Sequence, residues 1–248
     1  MLFRHGYTGL RAVWTLLAAM LCLPVVAHAS GGAFVQGEGW ASSNGGPVGP
    51  FLNPVSASNY LYLVAIQEGH VTSASVSDGA QKWTGVLYWY DSANDETIYL
   101  MVPTNATQAG LHTATLTGSG TGVKTFKAWM IEDTAPLVAG SAVARSQTAP
   151  GPGNSINPGV PVGVAGNDVY YLVVETTDAT SASEEPVLSA GWSTPKLYNE
   201  VLPDFDVNVG ALNLGRRPAA GGTTPTMQPG PVGYGSDVYT GIAWAVGR

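Results

Sequence analysis

Residues 60–67 read YLYLVAIQ and residues 125–132 read TFKAWMIE, and these two stretches decide the fold class. Both are rich in the aromatic and β-branched side chains that favour strands. A strand that is apolar on both of its faces must be covered on both faces. We therefore expect the two stretches to form strands in the middle of a core.

The same composition predicts further strands along most of the chain. They lie at residues 71–76, 83–90, 97–102, 113–117, 169–176, 186–188, 196–201, 205–214 and 239–246. Turn signals such as Asp78-Gly79 separate these segments at short intervals. No window beyond the N-terminal segment has helical periodicity, so the sequence predicts an all-β fold.

The second half of the chain faintly repeats the first. Each half opens with an aromatic, apolar strand, where Tyr62 matches Tyr171, and closes with an Ala-Trp strand, where Trp129 matches Trp244. This similarity predicts that the two strand pairs share one core.

The half-repeats span residues 53–133 and 157–247, and a Pro/Gly-rich connection at residues 148–166 joins them. Such a connection is either a long surface loop or a linker between modules. We expect residues 30–248 to form one antiparallel β-sandwich of jelly-roll type, built from two faintly similar halves. Two independent domains are the less favoured alternative.

The N-terminal sequence has the features of a signal peptide, which we expect to span residues 1–29. Arg4 and Arg11 bound a basic segment, an apolar run follows, and Ala27-His28-Ala29 is an A-x-A cleavage site that leaves Ser30 first. The single cysteine lies inside this segment, so the mature chain has no thiol for a disulfide, a nucleophile or a metal. We expect a bacterial protein that is secreted, extracellular or on the cell surface, with the periplasm as another location.

The composition limits the partners. Only 11% of the residues are charged and the formal net charge is −7. The basic residues form no cluster beyond Arg216-Arg217, so the footprint of a nucleic-acid-binding protein is absent. No segment of the mature chain is long and apolar enough for a transmembrane helix. The expected partner is a glycan or a surface protein, and the oligomeric state stays open.

A series of motifs resembles that of extracellular jelly-roll or lectin-like β-sandwich proteins of bacteria and phages. The motifs are an N-x-L-x-V-type strand from Asn59, a V-x-D-x-x-x-x-W segment that ends at Trp83, a strand ending Tyr-Trp-Tyr, a Gly/Thr-alternating strand and an A-x-x-x-E strand from Ala128. The resemblance covers residues 53–246. It implies a jelly roll outside the cell and carries over no catalytic residue.

One acidic pair suits glycoside hydrolysis. Asp204 and Asp206 alternate with apolar residues, so on a strand they share one face about 7 Å apart, as the acid and its partner carboxylate in a glycosidase must. The run offers no second glutamate. The alternative is a solvent-facing edge strand that carboxylates keep soluble.

Two further groups are candidates for binding. The acidic hairpin loop with Asp91, Asn94, Asp95 and Glu96 offers four oxygen-bearing ligands for calcium, and a solvated acidic turn is the alternative. The aromatic candidates for stacking on a sugar or contacting a protein are Tyr88, Trp89, Tyr90 and Tyr198. Strand alternation directs Trp89 opposite to Tyr88 and Tyr90, and a strand buried on both faces is the alternative to an exposed aromatic surface.

No histidine motif indicates a metal or a catalytic site. His70 and His112 have no near partner of ligand type, and we expect polar histidines at the surface or in turns. The leading function is a non-catalytic extracellular module that binds glycans or proteins, or that builds an adhesive structure. The alternatives are a secreted carbohydrate-active enzyme on a jelly roll and an outer-membrane β-barrel.

Overall fold

The computed structural model describes residues 32–48, 53–79, 81–148, 166–175, 187–188, 212–217, 227–228 and 238–247. These residues form fourteen β-strands and no helix. The strands are β1 (Phe34–Ser43), β2 (Pro47–Val48), β3 (Tyr60–Glu68), β4 (His70–Ser77), β5 (Trp83–Asp91), β6 (Glu96–Pro103), β7 (Ala114–Thr121), β8 (Thr125–Asp133), β9 (Val143–Thr148), β10 (Asp168–Glu175), β11 (Val187–Leu188), β12 (Leu212–Arg217), β13 (Met227–Gln228) and β14 (Val238–Val246). The predicted all-β fold is confirmed.

The strands pair antiparallel throughout and form four sheets. The central sheet has the order β1-β8-β3-β6-β5, and a three-stranded sheet has the order β2-β7-β4. A four-stranded sheet has the order β12-β10-β14-β9, and β11 pairs with β13. Among the described residues, no helix has the length and hydropathy that a membrane span requires.

The central sheet is buried on both faces because its middle strands are apolar at consecutive positions. On β3, Leu61, Leu63 and Ala65 pack with the three-stranded sheet. The alternating residues Tyr62 and Val64 pack on the other side with residues of the four-stranded sheet. The described part of the chain is therefore layered, with the central sheet between the two others. This confirms the expectation that the strands at residues 60–67 and 125–132 are covered on both faces and lie in the middle of the core.

Rings from both halves meet on the side of the four-stranded sheet. Tyr170 stacks on Trp244 with centroids 5.1 Å apart, and Tyr62 lies 6.3 Å from Tyr170. Trp129 belongs to the same buried cluster. The sequence repeat aligns Tyr62 with Tyr171. The ring that contacts Tyr62 belongs instead to the preceding residue, Tyr170.

A bulge in β4 explains why Val71 and Val76 pack in the same core, although strand alternation would direct them to opposite faces. The register with β7 shifts between Val71 and Ser73, which places one residue out of the alternation. Val71 and Val76 therefore both pack against the central sheet.

The strand predictions coincide with observed strands at β3–β8, β10, β11 and β14, and residues 205–214 overlap β12. Strands β1, β2, β9 and β13 were not predicted. The predicted segment at residues 196–201 and the signal peptide at residues 1–29 lie outside the described residues.

Candidate functional site

A groove of about 510 Å³ opens where β3 begins and β6 ends. These strands are antiparallel neighbours, so the start of one and the end of the other lie at the same end of the central sheet. One wall is the segment from Ala57 to Tyr62, the other is the segment from Val102 to Thr107, and Leu137 borders both. We call this feature the Tyr60 groove.

Backbone hydrogen bonds join the two segments that flank the walls. The Val55 N–H donates to the Gly110 carbonyl at 2.8 Å, and the Gly110 N–H donates back to Val55 at 3.1 Å. The Asn105 side-chain oxygen accepts from the Lys82 N–H at 2.9 Å, which ties the second wall to the residue that precedes β5. Both walls are therefore held in place before any ligand arrives.

A buried carboxylate supports the first wall from beneath. Glu132 accepts hydrogen bonds from the Ser56 N–H at 2.9 Å, from Asn59 Nδ2 at 2.6 Å and from Gln36 Nε2 at 2.6 Å. Because this buried side chain is fully engaged, it acts as a structural anchor. The anchor orients the amide of Asn59 at the edge of the groove.

The groove combines an exposed ring with apolar contacts. Tyr60 is 42% exposed, whereas Leu61 and Tyr62 beside it are buried. Val102, Pro103 and Leu137 add half-buried apolar surface. An aromatic ring at the rim of an apolar groove is a common feature of ligand sites.

Neutral polar groups complete the lining. The Thr107 hydroxyl makes no hydrogen bond with the described residues although Thr107 is only 8% exposed. The Tyr60 hydroxyl has no partner among them either, and Asn59 donates through Nδ2 while its Oδ1 accepts none from them. None of the described residues that line the groove is acidic, basic or histidine. The site can therefore offer hydrogen bonds and apolar contact without charge.

No sequence motif marks the Tyr60 groove. Tyr60 belongs to the same apolar run as Tyr62, and only the place where the covering sheet ends makes one exposed and the other buried. Thr107 lies in a loop without any motif. The single signal in the sequence is that Tyr60 follows a Ser-Asn turn directly.

The predicted aromatic candidates on β5 are engaged within the fold. Tyr88 stacks on Tyr99 with centroids 5.5 Å apart, and its hydroxyl accepts from the Ala74 N–H at 2.9 Å. Burial raises the pKa of Tyr88. Trp89 is half-buried and packs on the opposite face, against the cluster around Trp129, as strand alternation predicts.

Tyr90 lies nearer the surface and stacks on His70 at 4.2 Å. Its hydroxyl donates to Asp95 Oδ1 at 2.8 Å, and this hydrogen bond raises the pKa of Tyr90. A role of the β5 aromatics in ligand binding stays a prediction. The fourth candidate, Tyr198, lies outside the described residues.

The acidic hairpin uses several of its oxygens internally. Asp91 accepts from the Ala93 N–H at 3.0 Å and from Asn94 Nδ2 at 2.6 Å, while Asp95 binds Tyr90 and adopts a positive φ of 51°. The described residues contain no group of three or more His, Cys, Asp and Glu side chains with metal-binding geometry. Calcium binding to the hairpin stays a prediction.

Glu96 differs from the other residues of the hairpin. It is 3% exposed, and its Oε2 has no hydrogen-bond partner. Burial, followed by the negative charges of Asp91 and Glu68, raises the pKa of Glu96 to about 8. This carboxyl is therefore protonated at neutral pH.

A second polar cluster surrounds Asp78. Trp83 Nε1 donates to Asp78 Oδ2 at 3.1 Å, and the Gln81 N–H donates to Asp78 Oδ1 at 2.6 Å. His112 Nδ1 lies 3.3 Å from the same Asp78 Oδ2. His112 lies in the loop before β7 and is 3% exposed, so of the expected surface or turn positions the surface one is wrong for it. Asp78 and the Gln108 carbonyl, 2.9 Å from Nε2, satisfy the ring in the interior. His70 is exposed, as expected.

The acidic pair Asp204 and Asp206 lies outside the described residues, so its role in hydrolysis stays a prediction. Comparisons with known proteins identify no relative: no family model, no curated protein and no solved structure matches this chain.

Proposed function

We propose that this protein is a secreted, non-catalytic β-sandwich module that binds a glycan or a protein at a surface, or serves as an adhesive component there. The observation that supports it is the Tyr60 groove. Glu132 and backbone hydrogen bonds beside the walls hold it in shape, and its lining offers an exposed ring, the Tyr60 and Thr107 hydroxyls and the amide oxygen of Asn59. Rigid, preformed and neutral, it is suited to recognition.

We further propose that the first eight strands form a jelly roll. In that fold a long hairpin is wrapped so that the first strand pairs with the eighth, the second with the seventh and the third with the sixth. Here β1 pairs with β8, β2 with β7 and β3 with β6. The fourth pair of a jelly roll joins the fourth strand to the fifth. Here β5 pairs with β6 instead, and it contacts β4 through the hydrogen bond from the Ala74 N–H to the Tyr88 hydroxyl.

The lining of the groove supports binding over catalysis. Hydrolysis of a glycoside needs two carboxyl groups that flank the bond, and the described lining residues supply none. The enzyme alternative depends on Asp204 and Asp206, and it predicts product release from a glycan.

A large side chain placed in the groove tests the proposal. Ala106→Trp adds an indole to an exposed alanine of the lining, and Ala109→Trp adds the same group to an exposed alanine of the same loop outside it. The purified full chain and both variants are applied to immobilised oligosaccharides, peptidoglycan fragments and extracellular proteins. We expect Ala106→Trp to lose the binding that the parent chain and Ala109→Trp share, with no product released.

Two outcomes contradict the proposal. Equal binding by Ala106→Trp and Ala109→Trp would place the site elsewhere, and shortened glycans in the supernatant would make the protein an enzyme. Circular dichroism of both variants controls for misfolding.

A further inference from the structure

We infer that the Tyr60 groove binds an uncharged glycan, with one sugar ring stacked on Tyr60. This inference rests on the proposed binding function and names its ligand class. A pyranose ring has an apolar C–H face and a rim of hydroxyl groups that both donate and accept hydrogen bonds. The groove has the two corresponding kinds of surface.

The apolar surface matches the C–H face of a sugar. Tyr60 is 42% exposed and starts β3, where pairing of Tyr60 with Asp133 of β8 fixes its backbone. Pro103 and Leu137 lie in the same groove and provide shallow apolar contacts. A ring held by its own strand loses little conformational freedom when a ligand stacks on it.

The polar surface matches the hydroxyl rim. The Thr107 and Tyr60 hydroxyls can each donate and accept, and Asn59 Oδ1 accepts, while none of these atoms has a hydrogen-bond partner among the described residues. Thr107 is 8% exposed, and its hydroxyl, which has no partner among the described residues, is available to water or to a ligand in the groove. Glu132 holds Asn59 at 2.6 Å and keeps its amide oriented.

The charge distribution selects against anionic ligands. No charged residue is among the described lining residues, and the chain carries a formal net charge of −7. An anionic glycan would find no cation in the groove and a repulsive field around it. The volume of about 510 Å³ lies in the range of about 300–1,000 Å³ that holds a small ligand, about the size of a disaccharide.

Binding of defined oligosaccharides to the full chain tests the inference. The neutral probes are oligosaccharides of cellulose, chitin, starch and galactan, and the anionic probes are oligogalacturonate and hyaluronan. Affinity is measured by isothermal titration, and the contacting sugar protons by saturation-transfer NMR. We expect at least one neutral probe to bind and both anionic probes to bind more weakly or not at all.

Variants locate the site. We expect Tyr60→Ala to lower the affinity about tenfold, because a stacking contact is lost. We expect Thr107→Val to lower it about threefold, because one hydrogen bond is lost at nearly constant volume. Tyr60→Phe keeps the ring, so its loss should be smaller than that of Tyr60→Ala. Leu111→Ala removes an exposed apolar side chain outside the groove and should have no effect.

The outcomes separate this inference from the proposed function. Absence of binding to every neutral probe, or binding that Tyr60→Ala leaves unchanged, overturns the glycan inference. A peptide or an anionic glycan that binds in a Tyr60-dependent manner overturns it too, but leaves the binding function in place. Cleavage of a neutral probe held at Tyr60 overturns the non-catalytic function and supports the ligand class.

Discussion

At the scale of single residues, buried polar groups divide into those that are paired and those that are not. Glu132 accepts three hydrogen bonds, and Asp133 accepts from the Tyr170 hydroxyl at 2.5 Å and from the Ala135 N–H at 2.8 Å. Buried carboxyl groups with such partners stabilise the fold that orients them. Glu96 lacks a partner on Oε2, and its burial is therefore a cost that depends on pH.

Glu96 should make the protein less stable as the pH rises. Its pKa is raised from 4.5 to about 8 by burial and by neighbouring carboxylates, so the folded state holds this proton more tightly than the unfolded state. Its contribution is complete below pH 4.5 and is lost as the pH approaches 8. The free energy of unfolding should fall by up to about 1.4 kcal/mol per pH unit across that window.

Glu96→Gln isolates this effect. The amide has nearly the same shape and does not ionise, so the variant should have a flatter pH profile and should exceed the parent chain in stability near pH 8. Urea unfolding at a series of pH values measures both proteins. Identical slopes for the two proteins would show that Glu96 does not carry the dependence.

At the scale of strands, the pairing of β4 with β7 depends on glycine. Gly120 pairs with Val71 next to the bulge, and a Cβ on Gly120 would lie 1.8 Å from the carbonyl oxygen of His70. Backbone on the neighbouring strand cannot move without breaking the ladder. A Cβ on Gly118 would instead lie 2.3 Å from Oε1 of Gln67, a side-chain amide held by hydrogen bonds to Tyr99 and Asn44, so relief of this clash costs side-chain hydrogen bonds and not strand pairing.

We therefore expect Gly120→Ala to destabilise the protein by about 1–3 kcal/mol and Gly118→Ala by less. The free energy of unfolding in urea, determined for both variants and the parent chain, gives the comparison. Equal losses would contradict the assignment of the clash to the backbone of β4.

Strands that are apolar on both faces could be predicted from the sequence. Strands whose buried positions are polar residues or glycines could not. Along β1 the buried positions include Gln36, Gly37 and Gly39, which carry no apolar alternation. Gln36 is buried because its side chain binds Glu132, a contact between residues 96 positions apart. The same limit applies to the groove, since the exposure of Tyr60 depends on where a distant sheet ends and not on its neighbours in the sequence.

At the scale of the whole molecule, the second half of the chain supplies one cover of the central sheet. Its residues Tyr170 and Trp244 pack on the central sheet and bury Tyr62, Val64 and Trp129. The Tyr60 groove lies at an edge of this packing, where Leu137 forms an isolated bridge with Val246 of β14. Loss of the second half would therefore disturb the core and the groove together.

A fragment that ends at Arg145 should not fold into a native-like domain. It lacks β10 and β14 and leaves the face with Tyr62, Val64 and Trp129 uncovered. Each large apolar side chain returned to water costs about 1.5–3 kcal/mol, so a few of them exceed the total stability of about 5–15 kcal/mol that a domain has. We expect an insoluble or molten product that binds ANS, lacks near-UV circular dichroism and unfolds without cooperativity. The parent chain is the control. A soluble fragment with a sharp unfolding transition would instead mean that the first half is a domain in its own right, and the groove would then be tested in that fragment alone.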